Sequence, residues 1–167
     1  VPVGGLPSGA SGGGVIQVVT ATHSTQVTQA SNGSGNTQTT LTDTGLTAQI
    51  TPSSNSSKVL VMVNQQYGFD DGGDRQMHYN FVVRDSSNNN LNGGVNINSS
   101  GEGTLRYKDL QAFYQYYNCH FLHSPSTTSA FTYKVSMNLY VSYGGTSTMI
   151  AQRHGYTSQI TLLEVTG

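Results

Sequence analysis

The longest stretch of alternating side chains, residues 112–141, limits the fold more than any other feature. Its second half places apolar or aromatic residues at every second position from Phe131 to Val141, a period typical of a β-strand with one buried face. The first half is rich in aromatic residues and alternates as well, and Pro125 with its small hydroxyl neighbours is expected to end a strand between the two halves. We therefore predict two long strands, joined by a turn and paired like a hairpin, at the core of an all-β domain.

A helix over residues 105–122 is the alternative, because several large residues in it also recur at helical spacing. Aromatic residues favour strands, and every neighbouring segment alternates, so we favour the strand. Its two sides would then carry different sets of residues. One side would carry Phe113, Tyr117 and Phe121, and the other Tyr114, Tyr116 and Leu122.

The composition limits the kinds of partner. With 167 residues the chain can form one domain that buries about two-thirds of its unfolded surface. Charged residues make up 9% of the sequence and the net charge is −1, so no long-range field attracts nucleic acid or anionic lipid. No apolar run approaches the ~18 residues of a membrane span, and no secretory leader is visible. We therefore expect neither nucleic-acid binding nor membrane insertion.

The single cysteine, Cys119, cannot form a disulfide within the chain. No partnering base is indicated in the sequence, so we interpret Cys119 as a small apolar strand residue and not as a nucleophile. The sequence begins at Val1 and not at Met, which is compatible with a piece of a longer protein.

Turn residues divide the chain into short alternating segments. Residues 1–14 are rich in Gly, Ser and Pro and are predicted to be a flexible linker, followed by one folded domain at 15–167. Strands are predicted at Val15–Thr20, 36–51, Lys58–Tyr67, Gln76–Arg84, Leu91–Asn98, the two long segments described above, Ser147–Gln152 and Ser158–Val165. Gly45 predicts a bulge within the second strand. Such a series predicts an antiparallel β-sandwich of jelly-roll type, with a closed barrel as the alternative.

Four segments carry a resemblance to a known family. They are VIQVV at 15–19, DTGLTAQITPSSNSSKVLVMV at 43–63, FLHSPSTTSAFTYKV at 121–135 and SQITLLEV at 158–165. Together they resemble the C-terminal head domains of fibre and virion structural proteins of tailed bacteriophages, especially phages of marine bacteria. The similarity covers about residues 15–166, although His123 stands where an acidic residue is expected between FL and SP.

The resemblance implies a place in the virion, on a tail fibre or another surface fibre. It implies a β-sandwich that assembles as a homotrimer at the fibre tip and is attached to other fibre or virion proteins through an N-terminal shaft. Residues 1–14 would be the hinge between shaft and head. Such heads bind the host cell surface, either a glycan or an outer-membrane protein.

Residues that could carry chemistry do not form a known motif. Asp70, Asp71 and Asp74 are most simply a solvated turn; a Ca²⁺ loop or a catalytic set are alternatives, but the spacing of a Ca²⁺-binding loop is absent. His120 and His123 fall on opposite faces of a strand, so they would not share a metal, although copies of one histidine could meet on a trimer axis. We therefore predict no catalytic residue, no enzymatic activity, no metal and no cofactor.

Loop content favours one end of the sandwich as the binding end. If consecutive strands run in opposite directions, the loops at 21–35, 67–76, 99–108 and 142–146 lie at the end far from the N-terminus, and those at 51–57, 85–90, 123–129 and 153–157 lie near it. The far loops contain aromatic and charged residues, which concentrate at binding surfaces. The predicted receptor-binding residues are Tyr67, Phe69, Asp70, Asp71, Asp74, Arg75, Glu102, Arg106, Tyr107 and Tyr143.

Two functions from different classes follow from these interpretations. The preferred one is a non-enzymatic fibre head that binds the host surface through its far loops. The alternative is a structural virion protein, such as a head-decorating or neck fibre, that contacts only other phage proteins. A glycan depolymerase is disfavoured, because it needs paired carboxylates and the chain has eight acidic residues in all.

Overall fold

The structure, a computed structural model, describes residues 14–31, 37–71, 75–92, 103–107, 113–142 and 147–166. Those residues form strands and one short 3-10 turn at Arg153–Gly155. The strands are β1 (Val15–His23), β2 (Val27–Ala30), β3 (Thr37–Gln38), β4 (Thr42–Ile50), β5 (Lys58–Asp71), β6 (Arg75–Arg84), β7 (Gly103–Tyr107), β8 (Phe113–His123), β9 (Phe131–Ser142), β10 (Ser147–Ala151) and β11 (Ser158–Val165). The predicted last strand has the bounds expected of it, and the helix over 105–122 is absent from the described part of that segment.

Several of these strands are successive segments of one longer strand. β1 pairs with β11, and β2 pairs with β10. Both β10 and β11 also pair with β5, and both β3 and β4 pair with β9. When each such set is counted as one strand, the described chain has eight strands in two antiparallel sheets. In the first sheet the order is β1 with β2, then β11 with β10, then β5, then β8. In the second sheet it is β4 with β3, then β9, then β6, then β7. Two stacked sheets in this order form a jelly roll. The predicted antiparallel β-sandwich of jelly-roll type is confirmed.

The expected hairpin between the two long strands is wrong. β8 pairs with β5 in the first sheet, whereas β9 pairs with β4 and β6 in the second. The segment between them, with Pro125, crosses from one sheet to the other. The inward faces of both strands still meet in the interior, where the His123 ring lies 5.2 Å from that of Phe131. Alternation specifies which face of a strand is buried but not which strand pairs with it.

The core consists of the inward residues of both sheets. In β9 the odd-numbered residues from Tyr133 to Val141 are buried, as the alternation predicts. β5 is central in the first sheet, because β8 pairs with one of its edges and β10 and β11 pair with the other. The predicted bulge is present in β4, where the register shifts between Asp43 and Thr47 and Gly45 has a φ of 84°.

The strand directions place the described strand ends at one or the other end of the sandwich. Those at 30, 37, 71, 75, 107, 113, 142 and 147 lie at the far end, and those at 50, 58, 84, 123 and 131 lie at the near end with Gly14 and Thr166. Three of the predicted near-end turns are therefore confirmed. The assignment of 153–157 to the near end is wrong, because this segment interrupts the strand formed by β10 and β11. The predicted loop at 99–108 is wrong in part, because 103–107 form β7.

Candidate ligand-binding site

The predicted far-end residues separate into three groups in the structure. Asp70, Asp71, Arg75, Arg106 and Tyr107 lie in strands toward the far end. Backbone register places Arg75 opposite Tyr107, and Asp71 opposite the first residue of β10. The remaining residues are either buried or outside the described residues; Asp74, Glu102 and Tyr143 belong to the latter group.

The expectation that Tyr67 and Phe69 lie in an exposed loop is wrong. β5 continues to Asp71, so both residues fall on its inward face, and both are buried. The Tyr67 ring lies 5.1 Å from that of Phe81, and its hydroxyl donates to the Tyr79 hydroxyl at 2.6 Å. Burial raises the pKa of Tyr67 above its ordinary value. These two aromatic residues stabilise the core and are not available to a ligand.

A depression on the outer face of the first sheet has the strongest features of a site in the described part of the molecule. It has a volume of about 220 Å³ and is lined by Gln66, Tyr114, Tyr116 and Tyr156. The exposed fractions of the three tyrosines are 46%, 50% and 52% in that order. Because exposed aromatic rings bring apolar faces and polar hydroxyl groups to one surface, such a cluster is suited to binding.

The site is assembled from β5, β8 and the turn after β10. Tyr114 and Tyr116 are outward residues of β8, paired with Gly68 and Gln66 of β5. The Tyr156 ring lies 5.7 Å from that of Tyr114 in an edge-to-face contact, a favourable geometry for two aromatic rings.

Arg153 connects the tyrosines to the predicted residue Asp70. Its guanidinium carbon lies 5.6 Å from the centroid of the Tyr114 ring. The same guanidinium donates to the Phe69 carbonyl oxygen and forms an ion pair with Asp70. Arg153 is buried, whereas Asp70 is largely exposed. The planar guanidinium is suited to contacting a ring face, a carbonyl and a carboxylate at once, and it fixes the border of the depression.

The turn at 153–156 projects over the sheet because of the residue before it. Gln152 adopts a left-handed backbone conformation with a φ of 49°, which is uncommon for a residue with a side chain. Its buried amide holds this conformation. When the Gln152 side-chain amide is oriented so that its donors face acceptors, its nitrogen donates to the Thr44 carbonyl at 3.1 Å and its oxygen accepts from Gln65 Nε2 at 2.9 Å. A polar network inside the sandwich therefore positions Arg153 and Tyr156 outside it.

Gln66 forms the floor of the depression. It is an outward residue of β5, yet it is completely buried beneath the tyrosines. Its Nε2 donates to the Tyr67 carbonyl at 3.3 Å, and its Oε1 has no hydrogen-bond partner among the described residues. A buried acceptor without a partner costs free energy.

Other types of site lack support within the described residues. No group of three or more His, Cys, Asp or Glu side chains is placed to hold a metal ion in that part of the chain. None of its elements is a helix long and apolar enough to cross a membrane. His120 is exposed on the outer face and His123 points inward, so the prediction that they lie on opposite faces is confirmed. His78 is buried, as expected of a residue in the middle of a strand.

The sequence contained a partial signal for this site. Alternation placed Tyr114 and Tyr116 together on one side of β8. The turn at 153–157 was predicted to lie among the near-end loops, away from these tyrosines. Its contact with β8 depends on the pairing of β10 with β5 and of β8 with β5, and strand pairing between segments far apart in sequence has no local signature.

Comparisons with known proteins show distant structural similarity only. Neither the protein-family models nor the curated proteins give a match to this chain. The structure of the Gx strain of infectious bursal disease virus aligns with a TM-score of 0.42 and 10% identity, over 91% of this chain and 37% of that one. A mutant VP2 protein of the same virus, in derived particles, aligns with a TM-score of 0.41 and 11% identity, over 91% and 36%. The chain therefore spans little more than a third of the length of those proteins.

Proposed function

We propose that this chain is a non-enzymatic attachment domain of a virion that binds a host-surface glycan in the tyrosine-lined depression. The three exposed tyrosine rings around one depression carry the proposal. The jelly roll supports it in general terms, because the fold serves viral capsid proteins and lectins. The place in a virion, on a fibre, is supported by the resemblance of four sequence segments to phage head domains.

The size of the depression favours one sugar unit of a glycan over a protein partner. Its volume of about 220 Å³ lies below the ~300–1,000 Å³ of sites for larger small molecules. An outer-membrane protein would need about 800 Å² of contact on each partner. Because tyrosine combines an apolar ring with a hydroxyl, the lining can contact both the apolar faces and the hydroxyl groups of a sugar.

The bordering charges disfavour a cationic ligand and favour binding without hydrolysis. Arg153 already lies against Tyr114, so a cationic ligand in the same place would be repelled. Among the described side chains that line or border the depression, Asp70 is the carboxylate, and it is paired with Arg153. Glycoside hydrolysis generally uses two facing carboxylates.

The far end supplies further contacts in this proposal. Asp71, Arg75, Arg106 and Tyr107 lie toward the same end as Asp70 by strand register, and a glycan longer than one unit could extend from the depression toward them. The homotrimer implied by the sequence resemblance remains part of the proposal, because three copies convert weak contacts into avidity.

Saturation-transfer NMR with size-fractionated fragments of bacterial surface polysaccharides tests the proposal. Tyr116→Ala and Tyr156→Ala should each weaken binding at least tenfold, whereas Tyr116→Phe, which keeps the ring, should weaken it less than Tyr116→Ala. Gln49→Ala, an exposed change on the other sheet, is the control. Equal binding by wild type and both alanine variants would refute this site.

A structural virion protein is the second candidate function, and one observation favours it. The first sheet carries exposed apolar residues near the chain termini, away from the tyrosines, as a contact surface for another protein would. Immunogold labelling of intact particles separates the two candidates. Label on the capsid or neck favours the structural role, and label at fibre tips favours attachment.

A further inference from the structure

The outer face of the first sheet contains a second depression, next to the tyrosine-lined one. It has a volume of about 200 Å³ and lies over β11, β5 and β8. Its polar lining comes from all three strands and includes Gln159, Thr161, Asn64, Asn118 and His120. We call it the amide-lined depression. Its volume is several times the ~30 Å³ of one water molecule and close to the 220 Å³ of the tyrosine-lined depression, so it has room for a ligand unit of similar size.

Strand register places the two depressions in adjacent rows of outward side chains. Gln66 pairs with Tyr116 in the tyrosine-lined depression. The next outward residues of the same two strands, Asn64 and Asn118, pair in the amide-lined depression, and Gln159 pairs with Asn64 in the same row. Outward residues recur every ~6.8 Å along a strand, a step comparable to one sugar ring with its linkage. A glycan with one unit among the tyrosines can therefore reach the amide-lined depression with its next units.

The chemistry of the second lining matches the hydroxyl groups of a sugar. Amide and hydroxyl side chains and a neutral imidazole each contain a donor and an acceptor, as a sugar hydroxyl does. Met62, in the same lining, adds an apolar surface for the face of a sugar ring. The described lining contains no aspartate, glutamate, lysine or arginine, so it is suited to hydrogen bonding and not to ion pairing.

A hydrogen bond within the lining fixes two of its amides. Asn64 Nδ2 donates to Asn118 Oδ1 at 2.7 Å. This bond leaves the Asn64 oxygen as an acceptor and the Asn118 nitrogen as a donor, and reversing both amides would only exchange these roles. Both residues are exposed, so a ligand can reach them. Because the bond already restricts both side chains, a ligand that binds them costs the protein less conformational entropy.

We propose that the amide-lined depression is a second subsite for the same glycan, an inference that rests on the proposed function. It binds a hydroxyl-bearing sugar unit of the chain whose other unit occupies the tyrosine-lined depression. The glycan then runs along β5 and β8, from Tyr116 toward His120. This direction is opposite to the one that leads to the charged residues of the far end.

NMR titration with two fractions of a bacterial surface polysaccharide tests the proposal. The polysaccharide is one that gives saturation transfer with the wild type; one fraction contains its single sugar units and the other contains short chains. The wild type should bind the chains about tenfold more tightly than the single units, since one or two further net hydrogen bonds correspond to about that factor. The side-chain amide signals of Asn64 and Asn118 should shift on addition of the chains.

Two variants remove amides from the second depression. Asn118→Ala and Gln159→Ala should each weaken binding of the chains about fivefold to tenfold, the loss of about one net hydrogen bond, and leave the affinity for single units unchanged. Tyr156→Ala should weaken binding of both fractions. Thr22→Ala is the matched control, because Thr22 is exposed in the same row, paired with Gln159, but lines neither depression. It should change neither affinity.

The results separate the second subsite from the proposed function. If Tyr156→Ala weakened binding of both fractions while Asn118→Ala and Gln159→Ala bound the chains like the wild type, the second subsite alone would be refuted. Equal affinity of the wild type for chains and single units would also refute it. If Tyr156→Ala changed neither affinity, the tyrosine-lined depression would not be the site, and the subsite that depends on it would be refuted as well. Circular dichroism verifies that each variant is folded, and the two amide variants test the subsite independently.

Discussion

Arg153 lies with its guanidinium carbon 5.6 Å from the centroid of the Tyr114 ring, although Arg153 belongs to the turn after β10 and Tyr114 to β8, far apart in sequence. The same guanidinium reaches the Phe69 carbonyl and the Asp70 carboxylate. One buried cation thus connects the turn at 153–156 to both β5 and β8, and the candidate site depends on it.

Replacing Arg153 by lysine should destabilise the protein. A lysine ammonium is compact and lacks the planar fork, so it cannot satisfy the carbonyl and the carboxylate while it contacts the ring. We expect the free energy of unfolding to fall by about 1–3 kcal/mol, the cost of a buried polar group left without its partner. Urea unfolding of the variant and the wild type measures this free energy.

Asp70→Asn is the control for that measurement. It removes the ion pair but leaves the bonds from Arg153 to Phe69 and the ring contact. Because the Asp70 carboxylate is largely exposed, its loss should cost less than about 1 kcal/mol. If both variants lost the same stability, the ion pair alone would explain the role of Arg153.

Replacing Gln66 by methionine should raise stability. Its Oε1 is buried without a partner among the described residues, so an apolar side chain of similar shape removes a desolvation cost. The expected change in unfolding free energy is between zero and about +1 kcal/mol. Urea unfolding of the variant and the wild type measures this change.

Gln65→Met is the matched control on the neighbouring residue. Gln65 Nε2 donates to the Gln66 carbonyl at 2.8 Å and to Ser158 Oγ at 2.9 Å inside the sandwich. Its replacement should cost about 1–3 kcal/mol, because buried partners are left unsatisfied. Destabilisation by Gln66→Met of the same size would contradict the desolvation cost assigned to Gln66 Oε1.

Glu164 should make stability depend on pH in the acid range. Burial alone would raise its pKa, but hydrogen bonds from Ser53, Ser57 and Gln17 lower it to about 2, from an ordinary value of 4.5. Because the folded-state pKa is depressed, this stabilisation is present above about pH 4.5 and is lost as the pH falls toward about 2.

The variant Glu164→Gln tests that dependence. The difference in unfolding free energy between wild type and variant should be constant above about pH 5 and should shrink as the pH falls through the window from about 4.5 to about 2. Gln17→Leu removes one donor to the carboxylate, which should raise the Glu164 pKa and move the window upward. A difference that does not vary with pH would contradict the depressed pKa.

Gly45→Ala should destabilise the bulge in β4. Gly45 has a positive φ, and a Cβ there would overlap the imidazole of His23. The left-handed backbone alone costs about 1–2 kcal/mol for a residue with a side chain, and the clash adds to this. In the double variant with His23→Ala only the backbone cost should remain. Thermal unfolding of the single and double variants measures the backbone cost and the cost of the clash with His23. If Gly45→Ala alone were as stable as the wild type, neither cost would exist.

Much of the fold could be predicted from local patterns. Alternation identified the buried face of β9 and the two sides of β8. Gly45 indicated the bulge, because only glycine readily takes the backbone conformation needed there. The candidate site could be predicted only in part from the sequence. Tyr67 and Phe69, which were predicted to bind a receptor, belong to the core, and the turn that contains Arg153 lies over β8.

The sequence by itself determined that this chain forms strands, which side of each strand is apolar, and that the sheets stack around one core. These properties arise within a few residues, from the period of side chains along a strand and from the turn residues between strands. Only the tertiary structure decided that β8 and β9 lie in different sheets and that Arg153 meets Tyr114. Such pairings join residues distant in sequence, and they are selected by packing and hydrogen bonding of the whole domain, which no local pattern records.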